Sequence, residues 1–308
     1  MIFIAKGKCG NLQSQGGILA QGCGTSLCLR YLLFINKCHS TKLAEKTPRE
    51  LEKPLHCNNK TGSFNFHNLR IKKHAMQRVY LNTSIFIFVI LIAIQWGFYQ
   101  SYTSHFPHFK NATPLIHVHG ALLMTWMLLL IVQPLLIHSG KAHLHRTIGK
   151  VSWVLGPLII ISLFLIGRGG YFRGLGNVPE HENLTFIVLD MRGFLSFAIF
   201  WSLAMITRKL PDSHMRYMIA TGILAIGPGV GRGLGHSFGL DLGAAITITD
   251  VLDLAIVGSL LGVDVYRKKN YKPFLTVFLV LFIGSVLWQL RDTGGWQTFA
   301  KNYAQMFY

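Results

Sequence analysis

Residues 115–138 read LIHVHGALLMTWMLLLIVQPLLIH, 24 positions without a Lys, Arg, Asp or Glu. As a helix at 1.5 Å per residue they extend about 36 Å, enough to cross a hydrocarbon core about 30 Å thick. That predicts a transmembrane helix. Outward in both directions, similar apolar windows recur between short polar segments. They predict helices over Leu81–Gln100, Leu115–His138, Ile148–Gly167, Leu184–Thr207, Met215–Gly235, Ala244–Tyr266 and Phe274–Leu290.

The connecting segments test that count. One alternate set carries Lys72, Lys73 and Arg78, then Lys141, Arg146 and Lys150, then Arg208, Lys209 and Arg216, then Arg267, Lys268, Lys269 and Lys272. The other carries Lys110, then Arg168 and Arg173 against Glu180 and Glu182, then Asp241, then Arg291, Asp292 and Lys301. The first set is richer in cations, and cytoplasmic loops are the cation-rich ones. A miscount of one span would scramble this alternation. The expectation is an all-α, polytopic transmembrane helix bundle of about seven spans, N-terminus in and C-terminus out.

Composition agrees. The 308 residues are 51% hydrophobic and 14% charged, against roughly 25% charged in a soluble domain. That disfavours a soluble enzyme, a disordered chain and a coiled coil. The net charge of +18 sits in clusters between apolar runs, so it reads as membrane topology and not as a nucleic-acid footprint. The partner this implies is the lipid bilayer, with no nucleic acid. A second copy or another membrane protein stays open as a further partner.

Residues 1–75 differ from 76–308. They hold all five cysteines, Cys9, Cys23, Cys28, Cys38 and Cys57, at spacings that match no zinc site. They are basic and without sustained periodicity. Lys6 and Lys8 interrupt the apolar start before a signal-peptide core forms. The segment reads as a poorly ordered extension, with Met76 as an alternative natural start.

Chemistry must then sit in the bundle or at its rim. An ionisable residue inside a bilayer is costly and is a functional hypothesis by default. Counting along the helices puts His119, Asp190, Arg192, Arg232, His236, Asp250 and Asp253 in the outer half, at levels that agree within roughly 10 Å. Asp250 and Asp253, three apart, share a helix face. His119 and His236 form a candidate ligand pair for haem iron or a divalent metal, since neutral imidazole is the commonest metal ligand. His145 and His214 form a second candidate pair on the inner side. Buried ion pairing and solvated interface histidines are the structural alternatives for the same residues. The run Gly227-Pro228-Gly229-Val230-Gly231-Arg232-Gly233-Leu234-Gly235-His236 predicts a kink or an unwound stretch in the outer half of the fifth helix. Close helix packing through small residues is its structural alternative. No serine-protease-like triad, HExxH or phosphate loop is present, and the last span holds no lysine for a retinal.

Gly120-x5-Trp126 with Gln133-Pro134, then Leu144-His145-Arg146-x2-Gly149-Lys150, then Leu210-Pro211-Asp212-x-His214-x-Arg216, resembles a family of uncharacterised bacterial polytopic membrane proteins. The resemblance covers most of 76–308 and implies a multi-pass protein of the bacterial inner membrane, with Arg146, Gly149 and Arg216 as motif anchors. It transfers no activity. A looser similarity is to di-haem membrane cytochromes of the b561 or ferric-reductase kind, which implies haem b between histidines of neighbouring helices. Here His119 and His138 are 19 residues apart and His214 and His236 are 22 apart, nearly a whole membrane. Two functional expectations follow: a haem- or metal-binding redox protein, or a proton- or ion-coupled transporter. A non-enzymatic assembly or sensor protein is the third.

Overall fold

The computed structural model describes residues 66–109 and 112–308, with side chains from residue 77 onward. The cysteines, the part of the expected poorly ordered extension before residue 66, and Lys110 lie outside the described residues, whereas residues 66–75, expected to be poorly ordered, are helical. The elements in chain order are α1 (Phe66–Tyr99), α2 (Pro114–His138), α3 (Ala142–Gly149), α4 (Ser152–Gly174), α5 (Glu180–Ile206), α6 (Pro211–Ile223), α7 (Ile226–Phe238), α8 (Leu242–Tyr266), α9 (Lys272–Gln289) and α10 (Gly294–Phe307). A 3-10 turn, Thr103–His105, follows α1.

Among the described residues, seven segments are long and apolar enough to cross a membrane: Gln77–Tyr99, α2, α4, α5, the joined α6 and α7, α8 and α9. The chain is an all-α, multi-pass membrane protein. Local chemistry sets the ends. Thr113 stands before Pro114 and accepts the Ile116 N–H, so α2 starts with a cap and a proline at its first position. Asp241 Oδ1 accepts the Ala244 N–H at 2.9 Å and opens α8. Gly239, at φ +67°, closes α7 in the left-handed region that glycine adopts at little cost.

Several details differ from the sequence expectation, beginning with α1, which starts at Phe66 and not at Leu81. The third span starts at Ser152 and not at Ile148, because Ala142–Gly149 forms a separate short helix. Its outer end runs through Arg168–Gly170 to Gly174. A further helix, α10, follows the last span and buries Trp296, Ala300 and Ala304 against α5. The fifth span is broken at Leu224–Ala225, ahead of the glycine run. The run itself is helical. Pro228 falls in the first turn of α7, where its missing N–H has no helical partner to lose.

That break changes the position of the chain in the bundle. α6 packs against α1, α2, α5 and α9, whereas α7 packs against α1 and α8. The inner half of this span is central, and its outer half has moved into the ring. The glycines make the second contact close. A Cβ on Gly97 of α1 would collide with the Gly229 carbonyl, and one on Gly229 would come within 2.9 Å of Ile94 Cα. A Cβ on Gly233 would meet the Trp96 ring. The glycine run thus serves the small-residue packing of membrane helices.

The core runs through the middle of this arrangement. Trp126 is fully buried, donates its indole N–H to Thr221 Oγ1 at 3.0 Å and meets Phe197 edge-on. Outward-facing Ile85, Phe88, Val89 and Ile92 are each more than half exposed. They form the apolar surface that a bilayer would cover.

Candidate intramembrane polar site

α5 and α8 carry the most charged contact in the outer half. Arg192 Nη1 donates to Asp250 Oδ2 at 3.0 Å, and Nη2 donates to Asp250 Oδ1, a two-pronged guanidinium–carboxylate pair. One turn further along α8, Asp253 is buried beside this pair. Its Oδ1 is sealed from solvent and has no hydrogen-bond partner. Buried polar atoms are nearly always partnered, so an orphaned carboxyl oxygen calls for an explanation. One arginine therefore faces two carboxyl groups.

Asp190 is two residues from Arg192, which places it on the far side of α5. It lies against α4 at Gly167, where an added Cβ would come within 2.6 Å of the Asp190 Cγ. Arg173 acts on it from α4 without ion-pair contact, and Tyr303 and Tyr308 face it from the α10 end. Burial first, and the Asp190 charge second, push the Tyr308 phenol up. Burial and Asp190 also push Tyr303 up, against its hydrogen bond with Tyr308. Both phenols stay protonated, so they can donate. The expected single outer site is thus divided: Asp190 sits against α4 and near the Tyr303 and Tyr308 end of α10, and Asp250 and Asp253 belong with Arg192.

The histidines divide likewise. His119 Nδ1 lies 3.0 Å from Ser162 Oγ. The Ser162 proton goes to the Ile159 carbonyl at 2.8 Å, so His119 Nδ1–H is the donor to Ser162 and no group among the described residues bonds its Nε2. Arg232 faces His119, donates to the Pro228 carbonyl at 2.8 Å and stands 4.7 Å over the Phe98 ring. His236 is exposed on the last turn of α7 and makes no bond to His119. His117 points to the outer loop, where it meets Tyr102 Oη at 2.6 Å.

The inner end has a pair that sequence reading missed on one side. Arg216 Nε donates to Asp264 Oδ2 at 2.6 Å, Nη2 to Oδ1 at 2.8 Å, and Nη1 to the Asp212 carbonyl at 2.7 Å. Arg216 is 3% exposed, so this motif anchor is a buried ion-pair partner held by Asp264 and the Asp212 carbonyl. Asp264 reads in the sequence as one more residue beside the basic cluster at 267–269. The available signal was its position just inside the end of its span, level with Arg216. His214 Nδ1 donates to the Ala204 carbonyl at 2.8 Å, and no group among the described residues bonds its Nε2. His145 lies against Gln133 and near His214. Burial pushes the His145 imidazole below its ordinary value, and His214 and Arg146 add to this. Arg146 is exposed, and Gly149 has room for a Cβ 3.6 Å from the nearest Gln133 atom.

Among the described residues, no group of three or more His, Cys, Asp or Glu is gathered to hold a metal ion. No protein-family model, curated protein or solved structure matches the chain. The fold and site define a seven-span membrane bundle with an unbalanced carboxyl group in its outer half.

Proposed function

We propose that this protein is a proton- or cation-coupled membrane carrier and that Asp253 is its coupling site. The observation that supports this reading is the buried, unpartnered Asp253 Oδ1 beside the Arg192–Asp250 pair. A lone ionised carboxylate in a low-dielectric interior is expensive. A proton or a small cation relieves that cost, and its release restores it, which is the cycle a coupled carrier needs. Asp250 and Arg192 hold a fixed, internally neutral pair next to the site. The broken fifth span adds support, since interrupted helices in membranes line paths or binding sites. On the charge-asymmetry topology the site lies in the outer half of the membrane. The test is flux in proteoliposomes under an imposed pH or cation gradient. Wild type should dissipate the gradient, and Asp253→Asn should not. Equal flux in both would reject the reading.

A second reading is a haem- or metal-binding redox protein. It is favoured by His119 and His214, one from each candidate pair, which each donate Nδ1–H to a protein oxygen and leave Nε2 to bind. Haem b between His119 and His236, or between His145 and His214, would give a Soret band that shifts on dithionite reduction and is lost in His119→Ala or His214→Ala. A colourless, metal-free preparation would remove this reading and leave the carrier.

A further inference from the structure

We propose that the groove between the inner ends of α4 and α5 is a seat for the headgroup phosphate of an anionic phospholipid. The groove encloses about 480 Å³ and is lined by Trp153, Trp201, Met205, Ile206, Arg208 and Lys209, with Ser202. That volume lies in the range of small-molecule sites, about 300–1,000 Å³. Its wall is built by local sequence. Gly156 has no side chain, and an added Cβ would run into the Trp201 indole, so Trp201 lies directly on α4. Its N–H donates to the Ser152 carbonyl at 3.2 Å, which fixes the ring. Trp153 meets Trp201 edge-on with centroids 6.1 Å apart. The Arg208 guanidinium stands 5.2 Å over the Trp153 ring.

Arg208 and Lys209 follow the C-terminus of α5, where a cation can simply complement the helix dipole. Arg208 does something else. Its guanidinium makes no hydrogen bond to an α5 carbonyl and stands instead over Trp153, at the groove. No acidic side chain lines the groove, so an occupant must bring the negative charge. The open side is apolar and faces the bilayer: Ile206 is 76% exposed and Trp153 is 47% exposed. Indoles at the membrane–water boundary, cations just beyond them and an exposed aliphatic side chain just inside match the three layers of a phospholipid. A free anion would use only the cations. The charge asymmetry puts this groove on the cytoplasmic side, the leaflet face where basic segments meet anionic lipid.

The test is native mass spectrometry of the full chain in detergent, titrated with phosphatidylglycerol or with phosphatidylcholine of the same acyl chains. Phosphatidylglycerol should bind roughly tenfold or more tightly. The double variant Arg208→Gln with Lys209→Gln should abolish that preference, and Lys141→Gln, a basic residue elsewhere on the same face, should keep it. Equal binding of the two lipids, or a preference unchanged in the double variant, would overturn the proposal. Displacement of phosphatidylglycerol by millimolar inorganic phosphate would also overturn it, by showing a free-anion site. If the double variant does not fold, tryptophan quenching by chain-brominated lipids decides instead. Wild type should be quenched more by phosphatidylglycerol than by phosphatidylcholine, and Trp153→Phe should lose most of that difference. An undiminished difference in Trp153→Phe would count against the groove.

Discussion

At the inner end of the bundle, Arg216 meets Asp264 with every guanidinium nitrogen engaged, the third one by the Asp212 carbonyl. In the outer half, Arg192 meets Asp250 in the same two-pronged way, but a second carboxyl group, Asp253, is left over beside the pair. Both arginines come from spans that touch the centre of the bundle, and both aspartates come from α8. Arg216 also has a second carboxylate near it, Asp212 at 3.8 Å, but that one is exposed, whereas Asp253 is buried, so the difference is the burial of the extra carboxyl group. A balanced, fully bonded pair is a structural element, and disturbing it exposes a buried charge. An unbalanced cluster has a place for a mobile positive charge. Two regions of one helix, α8, thus carry the same side-chain chemistry with opposite consequences.

The largest expected effect falls on the balanced pair. Asp264→Asn leaves Arg216 buried without its counter-charge and should cost about 3–5 kcal/mol. Unfolding in detergent, or the yield of folded protein, reads this directly. Replacing both partners with apolar residues should recover most of the loss, and a double variant as unstable as the single would contradict the pairing. Next in size is the α1–α7 contact. Gly97→Ala places a methyl group in the Gly229 carbonyl and should cost about 1–3 kcal/mol by overpacking. A melting temperature equal to wild type would show that α7 is not seated there.

Asp253→Asn should barely move stability, within about 1 kcal/mol, because no bond to Asp253 Oδ1 is lost. It should still abolish flux. A smaller effect concerns pH at the inner rim. Burial lowers the folded-state pKa of His145, so the unfolded chain binds more protons as pH falls below about 6.5. The stabilisation from neutral His145 is complete above that pH and is lost as pH falls through the lower folded value. The melting temperature should drop between pH 7.5 and pH 5, and His145→Gln should flatten part of that slope. An unchanged slope would show that His145 does not contribute. Smallest of all, Gly149→Ala should be neutral or slightly stabilising, since its Cβ meets nothing closer than 3.6 Å. A large loss would restore Gly149 as a packing anchor.

The spans were legible because bilayer thickness imposes a length, and a run such as residues 115–138 meets it without ambiguity. Interruptions were less legible. The break at Leu224–Ala225 lies in an ordinary apolar stretch, three residues before Pro228, and a proline tolerated in a first turn gives no sign of which residue precedes the break. α10 escaped because 14 residues with one apolar face look like a polar tail when counted for membrane crossing. Within the site, residue type was readable and rotation was not. Asp190 and Arg192 are adjacent in depth, yet a spacing of two sends them to opposite sides of α5. Asp250 and Asp253, spaced by three, stayed together for the same geometric reason.

The direct test of this comparison is gradient-driven flux in proteoliposomes, normalised to folded protein, for wild type, Asp253→Asn and Asp264→Asn side by side. The account predicts that Asp253→Asn is well folded and inactive, while whatever Asp264→Asn protein folds retains wild-type flux per molecule. Undiminished flux in Asp253→Asn would contradict it, and would return Asp253 to the same structural role as its inner counterpart.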